Sequence, residues 1–485
     1  MGDAKSLVSK VWNYADILRD AGVSYADYLE QITCLLFLKM DQEREELLNA
    51  PSMIAPKYRW KAIKGQRGEE LIRLYGEALD KLSRADGLVG AIFLKAQNRV
   101  QEPAKLQRLI DLIDEEQWLG LPVDVKGDIY EGLLERTVSE VKSGAGQYFT
   151  PRPLIDAIVQ VVDPAPGKTV CDPACGTGGF LLSAYEQMRK RPEARQAHIG
   201  KKIREETFYG VDIVPGVVRL ANMNLYLHGI GDTAPLVSQG DALLKHDGRY
   251  FDYVLANPPF GRKQSFRVFT EEGGIDTERE IYERDDFKVT TSNKQLNFLQ
   301  HIVSILKENG TAAVVLPDNV LFEAGAGERI RDQLLTKCDF HTLLRLPTGI
   351  FYKQGVKANV LFFDKKPAQE QPWTQSLWVY DFRTNQRFTL KERPLRREHL
   401  EDFVSVAKLS NRAKRKETEC FRQFSADDLR KRDKLSLDFF WLKDADADDA
   451  ESLPPPDELA AEIVESLEAA LERFRGVAAR LNQLP

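Results

Sequence analysis

Asp172-Pro173-Ala174-Cys175-Gly176-Thr177-Gly178-Gly179-Phe180 closes a β-rich run, Thr169 to Asp172, and opens a helical stretch, so a strand ends in an acid and turns through glycines into a helix. Glycines let the backbone approach a ligand closely, and the free N–H groups at a helix start favour a negatively charged group. A nucleotide or an amino-acid carboxylate suits such a turn. A dinucleotide fingerprint requires another glycine where this sequence has Leu181, and its ribose-binding acid falls nearer to the turn than Asp212 does.

Through the middle of the chain, short β-rich runs alternate with helical stretches: Thr169 to Asp172, Thr207 to Ile213, Leu236 to Gly240, Tyr253 to Ala256 and Ala312 to Leu316. That alternation predicts an α/β fold, a mostly parallel, doubly wound sheet with helices on both faces. Ligands of such sheets sit outside the carboxyl ends of the strands, so Asp172, Asp212, Asp241 and Asn257, which end or follow the first four runs, are expected to share one crevice. Leu343 to Phe351 and Asn359 to Asp364 read as further strands. Before them, residues 1–136 read as a helical bundle, with Leu29, Ile32, Leu36 and Met40 at helical spacing.

The catalytic portion is assigned to 137–443, followed by an acidic, Pro-rich linker at 444–456. The final segment, 457–485, places Ala460, Val464, Leu467, Leu471, Phe474, Ala478 and Leu481 at the alternating steps of a coiled-coil seam, which wants a partner helix. The span Gly261 to Lys294 is highly charged and without period, and is expected to be a mobile loop ordering over a partner.

With 485 residues and 43% hydrophobic content, the chain has room for two or three cores. No run is apolar enough to span a membrane. The opening residues fit a myristoylation pattern only formally, and five scattered cysteines indicate neither disulfides nor a zinc site, so no metal is expected and a reducing cytoplasm is the expected location. The net charge of -6 excludes nucleic-acid binding by bulk electrostatics, leaving local basic stretches such as Arg383 to Arg397 and Arg412 to Lys416.

The second informative stretch is Asn257-Pro258-Pro259-Phe260, directly after the run Tyr253 to Ala256. Two prolines fix an extended turn and cannot donate, so the Asn257 amide oxygen and the Pro258 carbonyl suit the two protons of an exocyclic amine. Phe260 would stack on the base. A base inside a duplex cannot reach such a turn and has to be extruded.

Together these two motifs resemble the cofactor and catalytic motifs of DNA amino-methyltransferases, and Gly146-Gln147-Tyr148-Phe149-Thr150-Pro151-Arg152-Pro153 resembles a further cofactor segment. In their order, with a leading helical domain and trailing helix, they resemble the modification subunit of a type I restriction-modification system. That resemblance implies S-adenosyl-L-methionine as cofactor and N6 of adenine in double-stranded DNA as target. It implies as partners a specificity subunit, a second modification subunit and, in the full complex, a restriction subunit. It assigns Gln147, Tyr148, Phe149, Thr150, Pro151 and Arg152, with Thr177, Gly178 and Gly179, to the methionine end of the cofactor. Asp172 and Gly176 belong to the same pocket, Asp212 is assigned to the ribose hydroxyls and Asp241 to the neighbourhood of the adenine. Asn257 to Phe260 are the catalytic set, and Asn297-Phe298 either frames the base or packs in the core. The N4 amine of cytosine suits the same turn, RNA or a protein glutamine are more distant targets, and a cofactor-bound scaffold without catalysis is the reading of another class. Cytosine-C5 chemistry would need a cysteine nucleophile, and the chain has no Pro-Cys pair.

Overall fold

The computed structural model describes residues 22–120, 150–232, 234–260, 282–351, 356–384, 386–389 and 393–442, a few residues in the terminal segments and near 130, and the backbone of two short strands between 265 and 279. Val170–Asp172 (β1) is buried along its whole length, as an apolar strand with a neighbour on either side must be. It pairs in parallel with Phe208–Asp212 (β2) and with Phe251–Ala256 (β4). Val237–Gln239 (β3) adds to β2, and Leu306–Pro317 (β7) adds to β4, both parallel.

From β1 the chain therefore builds outward to β2 and β3 on one side, then returns to place β4 and β7 on the other. The reversal makes the gap between β1 and β4 a topological switch point, where open α/β sheets bind their ligands. Beyond β7 the sheet is mixed. Ala358–Lys365 (β9) runs antiparallel between β7 and Cys338–Arg345 (β8), and Ser376–Asp381 (β10) and Phe421–Ser425 (β11) complete nine strands in the order β11-β10-β8-β9-β7-β4-β1-β2-β3.

The expected strands are present, with one displaced: the strand expected at Leu343 to Phe351 is Cys338–Arg345, which starts five residues earlier and leaves the sheet after Arg345. Part of the span expected to be a loop forms an antiparallel pair, Ser265–Phe269 (β5) with Ile275–Arg279 (β6). β5 alternates only briefly, through Phe266 and Val268, β6 not at all, and the two pair only with each other, so the periodic signal is too short to mark them.

Tyr25–Leu48 (α1) opens the helical region, capped by Ser24, whose side chain accepts from the Asp27 N–H. Trp60–Lys64 (α2), Gly68–Leu82 (α3), Gly87–Ile92 (α4) and Pro103–Asp114 (α5) pack with it around Leu29, Ile32, Leu36 and Met40. In the catalytic region the helices packed on the sheet include Arg152–Val162 (α6), Gly179–Arg189 (α7), Ala197–Glu205 (α8), Pro215–Leu227 (α9) and Lys294–Ile305 (α10).

The helical region is not a free-standing unit. Met223 and Leu227 of α9 are buried in its core, each worth roughly 1.5–3 kcal/mol of burial. Beside them the buried Arg219 pairs with Glu30 of α1 at 2.7 Å and donates to the Leu94 carbonyl at 2.6 Å. Among the described residues no helix is long and apolar enough to cross a membrane.

Candidate functional site

Strand register spaces the strand-end residues like steps. Asp172 lies level with Gly210, so Asp212 reaches two residues further out along the carboxyl edge. Asp212 is level with Gln239, so Asp241 lies two residues beyond it again. On the other side Cys171 pairs with Val254, which puts Asn257 two residues beyond the level of Asp172, a step of ~6.6 Å.

Gly176 and Gly178 take φ of +53 and +83 between β1 and α7, a region open to glycine at little cost. A Cβ built on Gly176 would meet nothing within 4 Å, so this backbone borders open space. The Asp212 carboxylate holds the turn, accepting from the Gly176 N–H at 3.2 Å and, through its other oxygen, from the Val214 N–H at 2.9 Å. Asn224 of α9 donates to the Thr177 carbonyl at 3.1 Å.

Asp172 is only 1% exposed and accepts from the Ala174 N–H at 3.1 Å. Burial pushes its carboxyl up to about 8; the Ala174 hydrogen bond opposes that rise and the Asp212 charge adds to it. Burial also raises Asp212, against the backbone N–H groups that favour its charge. Two carboxyls held above their ordinary range beside open backbone are a site that a ligand cation stabilises.

Asp241 accepts from the Leu243 N–H at 2.9 Å and from the Tyr282 hydroxyl at 3.1 Å. Arg284 secures the same loop by donating to the carbonyls of Ala242 and Leu243 at 3.2 and 3.3 Å, and to His301 Nδ1 at 3.1 Å. Burial pushes His301 down to about 3, which keeps its ring neutral and able to accept.

On the far side of the switch point, Asn257 Nδ2 donates to the buried Thr150 Oγ1 at 2.6 Å. Pro258 is buried, Pro259 is exposed, and the Pro259 carbonyl accepts from Gln295 Nε2 at 3.3 Å. Phe260 is buried with its ring edge-on to Phe351 at 5.6 Å, so it packs in the core and does not stand open for a base.

The structure thus brings Asp172, Gly176 to Gly179 and Asp212 together, and ties Thr150 to Asn257. Pro151 caps α6. Arg152 pairs with Glu186 at 2.9 Å and Asp156 at 3.4 Å, an arrangement that joins α6 to α7. Gln147, Tyr148 and Phe149 lie outside the described residues. Phe298 clusters with Leu243 and Tyr282 against Ala174 and Ala242, and Asn297 donates to the Thr291 carbonyl at 2.9 Å.

Sequence reasoning misses Ile213 and Tyr282. Ile213 directly follows Asp212 and is 59% exposed, an apolar side chain at the mouth of a crevice. Its signal is an aliphatic residue ending a strand beyond the acid. Tyr282 has none, because its partner Asp241 is distant in sequence.

The family described as N-6 DNA methylase matches residues 122–437, and the one described as the HsdM N-terminal domain matches 7–115. The chain belongs to the N-6 DNA methylase family. Among relatives of this methylase, the type I restriction enzyme StySPI methylase subunit of Salmonella potsdam is 39% identical over 516 residues, covering 96% of this chain and 93% of the relative. The crystal structure of the type I restriction enzyme EcoKI M protein is 34% identical, with a TM-score of 0.53, covering 98% of the methylase and 96% of that chain. A chain from a structural study of complex assembly in a type I restriction-modification system gives a TM-score of 0.73 at 25% identity, covering 99% of both. The methylase therefore has the α/β fold and the methyltransferase activity of this family, carried by the matched residues 122–437, with the helical region before them matched as the HsdM N-terminal domain.

Proposed function

We propose that the methylase transfers a methyl group from S-adenosyl-L-methionine to N6 of an adenine extruded from double-stranded DNA, as the modification subunit of a type I restriction-modification assembly. The observation that carries this reading is Asn257: it follows β4 at the switch point, and its amide nitrogen donates to Thr150 Oγ1, which fixes the orientation of the amide and with it the direction of its oxygen.

The residues fit the cofactor. Asp172 and Asp212 offer carboxyls that gain from a cationic ligand, Gly176 to Gly179 offer backbone without Cβ obstruction, and exposed Ile213 offers an apolar face beside Asp241. Bound S-adenosyl-L-methionine supplies an activated sulfonium methyl. The chain's own residues position the acceptor: Asn257 Oδ1 and the Pro258 carbonyl take the two amine protons, which turns the nitrogen lone pair outward. The held amine would act as nucleophile in a single displacement and would shed its surplus proton past the Asn257 and Pro258 acceptors to water, so the chain's part in catalysis is mostly positioning. Phe260 would reach the base only by turning from Phe351. The partners are a specificity subunit, a second modification subunit and, in the complete complex, a restriction subunit.

The test is Asn257→Ala in the native assembly. Cofactor affinity by calorimetry should stay near that of the parent while transfer of labelled methyl to DNA is lost. A variant that transfers at the parental rate overturns the assignment.

A further inference from the structure

Arg387, Arg393, Arg396 and Arg397 are exposed, and none forms an ion pair among the described residues. Some exposed cations elsewhere are matched, Arg73 with Glu70 and Glu77, Arg84 with Asp80 and Lys61 with Glu46, and others, such as Lys190 and Arg204, stand singly without an ion pair among the described residues; here four arginines do so within eleven residues. In an acidic chain, a run of unmatched arginines needs its own explanation.

Their place in the fold supplies one. The segment leaves the carboxyl end of β10, which lies parallel to β8 and on the edge that carries Asn257. It does not drift away from that edge. Gly349, with φ of +80, follows β8, and a Cβ there would lie 1.9 Å from the Phe388 carbonyl oxygen, so the two backbones touch. Two residues on from Gly349, Phe351 packs edge-on against Phe260 of the catalytic turn. Behind the segment, Phe388 is anchored on Phe382 and His399. Arg383, at its start, is committed to Asp381 at 2.6 Å and to the Phe439 carbonyl, leaving the later arginines as the available cations.

From β4 to β10 is four strand spacings, ~19 Å, which spans several phosphates of a duplex carrying one charge per ~1.7 Å of its axis. We infer that Arg387, Arg393 and Arg396 form a phosphate-binding strip that grips the DNA backbone beside the extruded base. Guanidinium groups suit phosphate oxygens, and interactions of this kind set register without reading sequence. The strip reconciles a net acidic chain with a DNA substrate: the positive charge is local and sits beside the chemistry. It rests on the DNA-methylase reading above and adds the surface that holds the substrate.

The experiment is binding of the full-length chain to a fluorescein-labelled, random-sequence DNA duplex, by anisotropy across a salt series. Three variants are compared with the parent: the triple Arg387→Ala, Arg393→Ala, Arg396→Ala; the same three positions changed to Lys; and a charge-matched control, Arg195→Ala, Lys201→Ala, Lys202→Ala, at and before α8 and away from the crevice. The alanine triple should lower the slope of log affinity against log salt by about 0.9 for each phosphate left without its cation, with unchanged S-adenosyl-L-methionine affinity. The lysine triple should keep most of the slope, and the control all of it. An unchanged slope in the alanine triple, or an equal loss in the control, overturns the strip. If the parent assembly methylates DNA while the slope is unchanged, only the strip falls; if it methylates no DNA, the reading beneath it falls too.

Discussion

Asn257 Nδ2 donates to Thr150 Oγ1 at 2.6 Å, joining the turn after β4 to the residue before the cap of α6. Two segments far apart in sequence are thereby held as one unit, and the amide's orientation is set by a partner that does not itself touch the reacting atoms. Thr150→Val keeps the shape of this buried side chain and removes the acceptor. It should cost about 1 kcal/mol of transition-state stabilisation, about fivefold in kcat, with a melting temperature close to the parent's. Thr150→Ser should restore the rate, and single-turnover methylation measures both.

Gly178→Val should fold but lose S-adenosyl-L-methionine. A Cβ at Gly178 would sit 3.7 Å from Leu225, an ordinary contact, so the core tolerates it. The backbone does not, because φ of +83 is a conformation a β-branched residue adopts only at a cost. Relaxing that strain moves the turn that borders the cofactor. Calorimetry decides: parental affinity in a folded variant would remove Gly178 from the cofactor site.

Asp172 predicts how stability depends on pH. In the folded chain without cofactor its carboxyl holds a proton up to about 8, whereas unfolded it ionises near ~3.9. Between those values the folded state binds the extra proton, so stability falls as pH rises and levels off above the folded value. Urea denaturation at rising pH should show that decline, and Asp172→Asn should flatten it. Cofactor binding should release a proton near neutral pH, read by calorimetry in buffers of different ionisation enthalpy. A decline equally steep in Asp172→Asn would assign it to another group.

Deleting residues 457–485 should weaken association with the specificity subunit and spare cofactor binding. Ala460 and Val464 are helical and exposed, as seam positions awaiting a partner would be. About three heptads of such a seam are marginal alone. Co-purification and calorimetry on the truncated chain measure the two effects, and full assembly without the segment would contradict this role. The remaining seam residues and the linker at 444–456 lie outside the described residues.

Much of the fold is legible in the sequence because its evidence is local. Asp172, Asp212 and Asn257 sit at or just beyond the ends of apolar runs, and the glycines at 176 and 178 adopt the positive φ their spacing suggests. What stays hidden depends on partners distant in the chain. Nothing near Ala358–Lys365 tells it to run antiparallel between β7 and β8; β10 does carry a strand signal, Leu377 to Tyr380, that sequence reasoning misses, and β11, whose Phe421 packs tilted against Trp378, carries little. Arg219 looks like a surface residue of α9 until Glu30 and Leu94 close over it. The link from Thr150 to Asn257, and from Tyr282 to Asp241, joins segments whose spacing carries no period.

That Asn257 and its turn direct a methyl group to an adenine amine in DNA is best tested by mass spectrometry of nucleosides from DNA treated with the native assembly and S-adenosyl-L-methionine. N6-methyladenine is the expected product, absent when Asn257→Ala replaces the parent. N4-methylcytosine as the sole product, or no methylated nucleoside at all, would contradict the assignment.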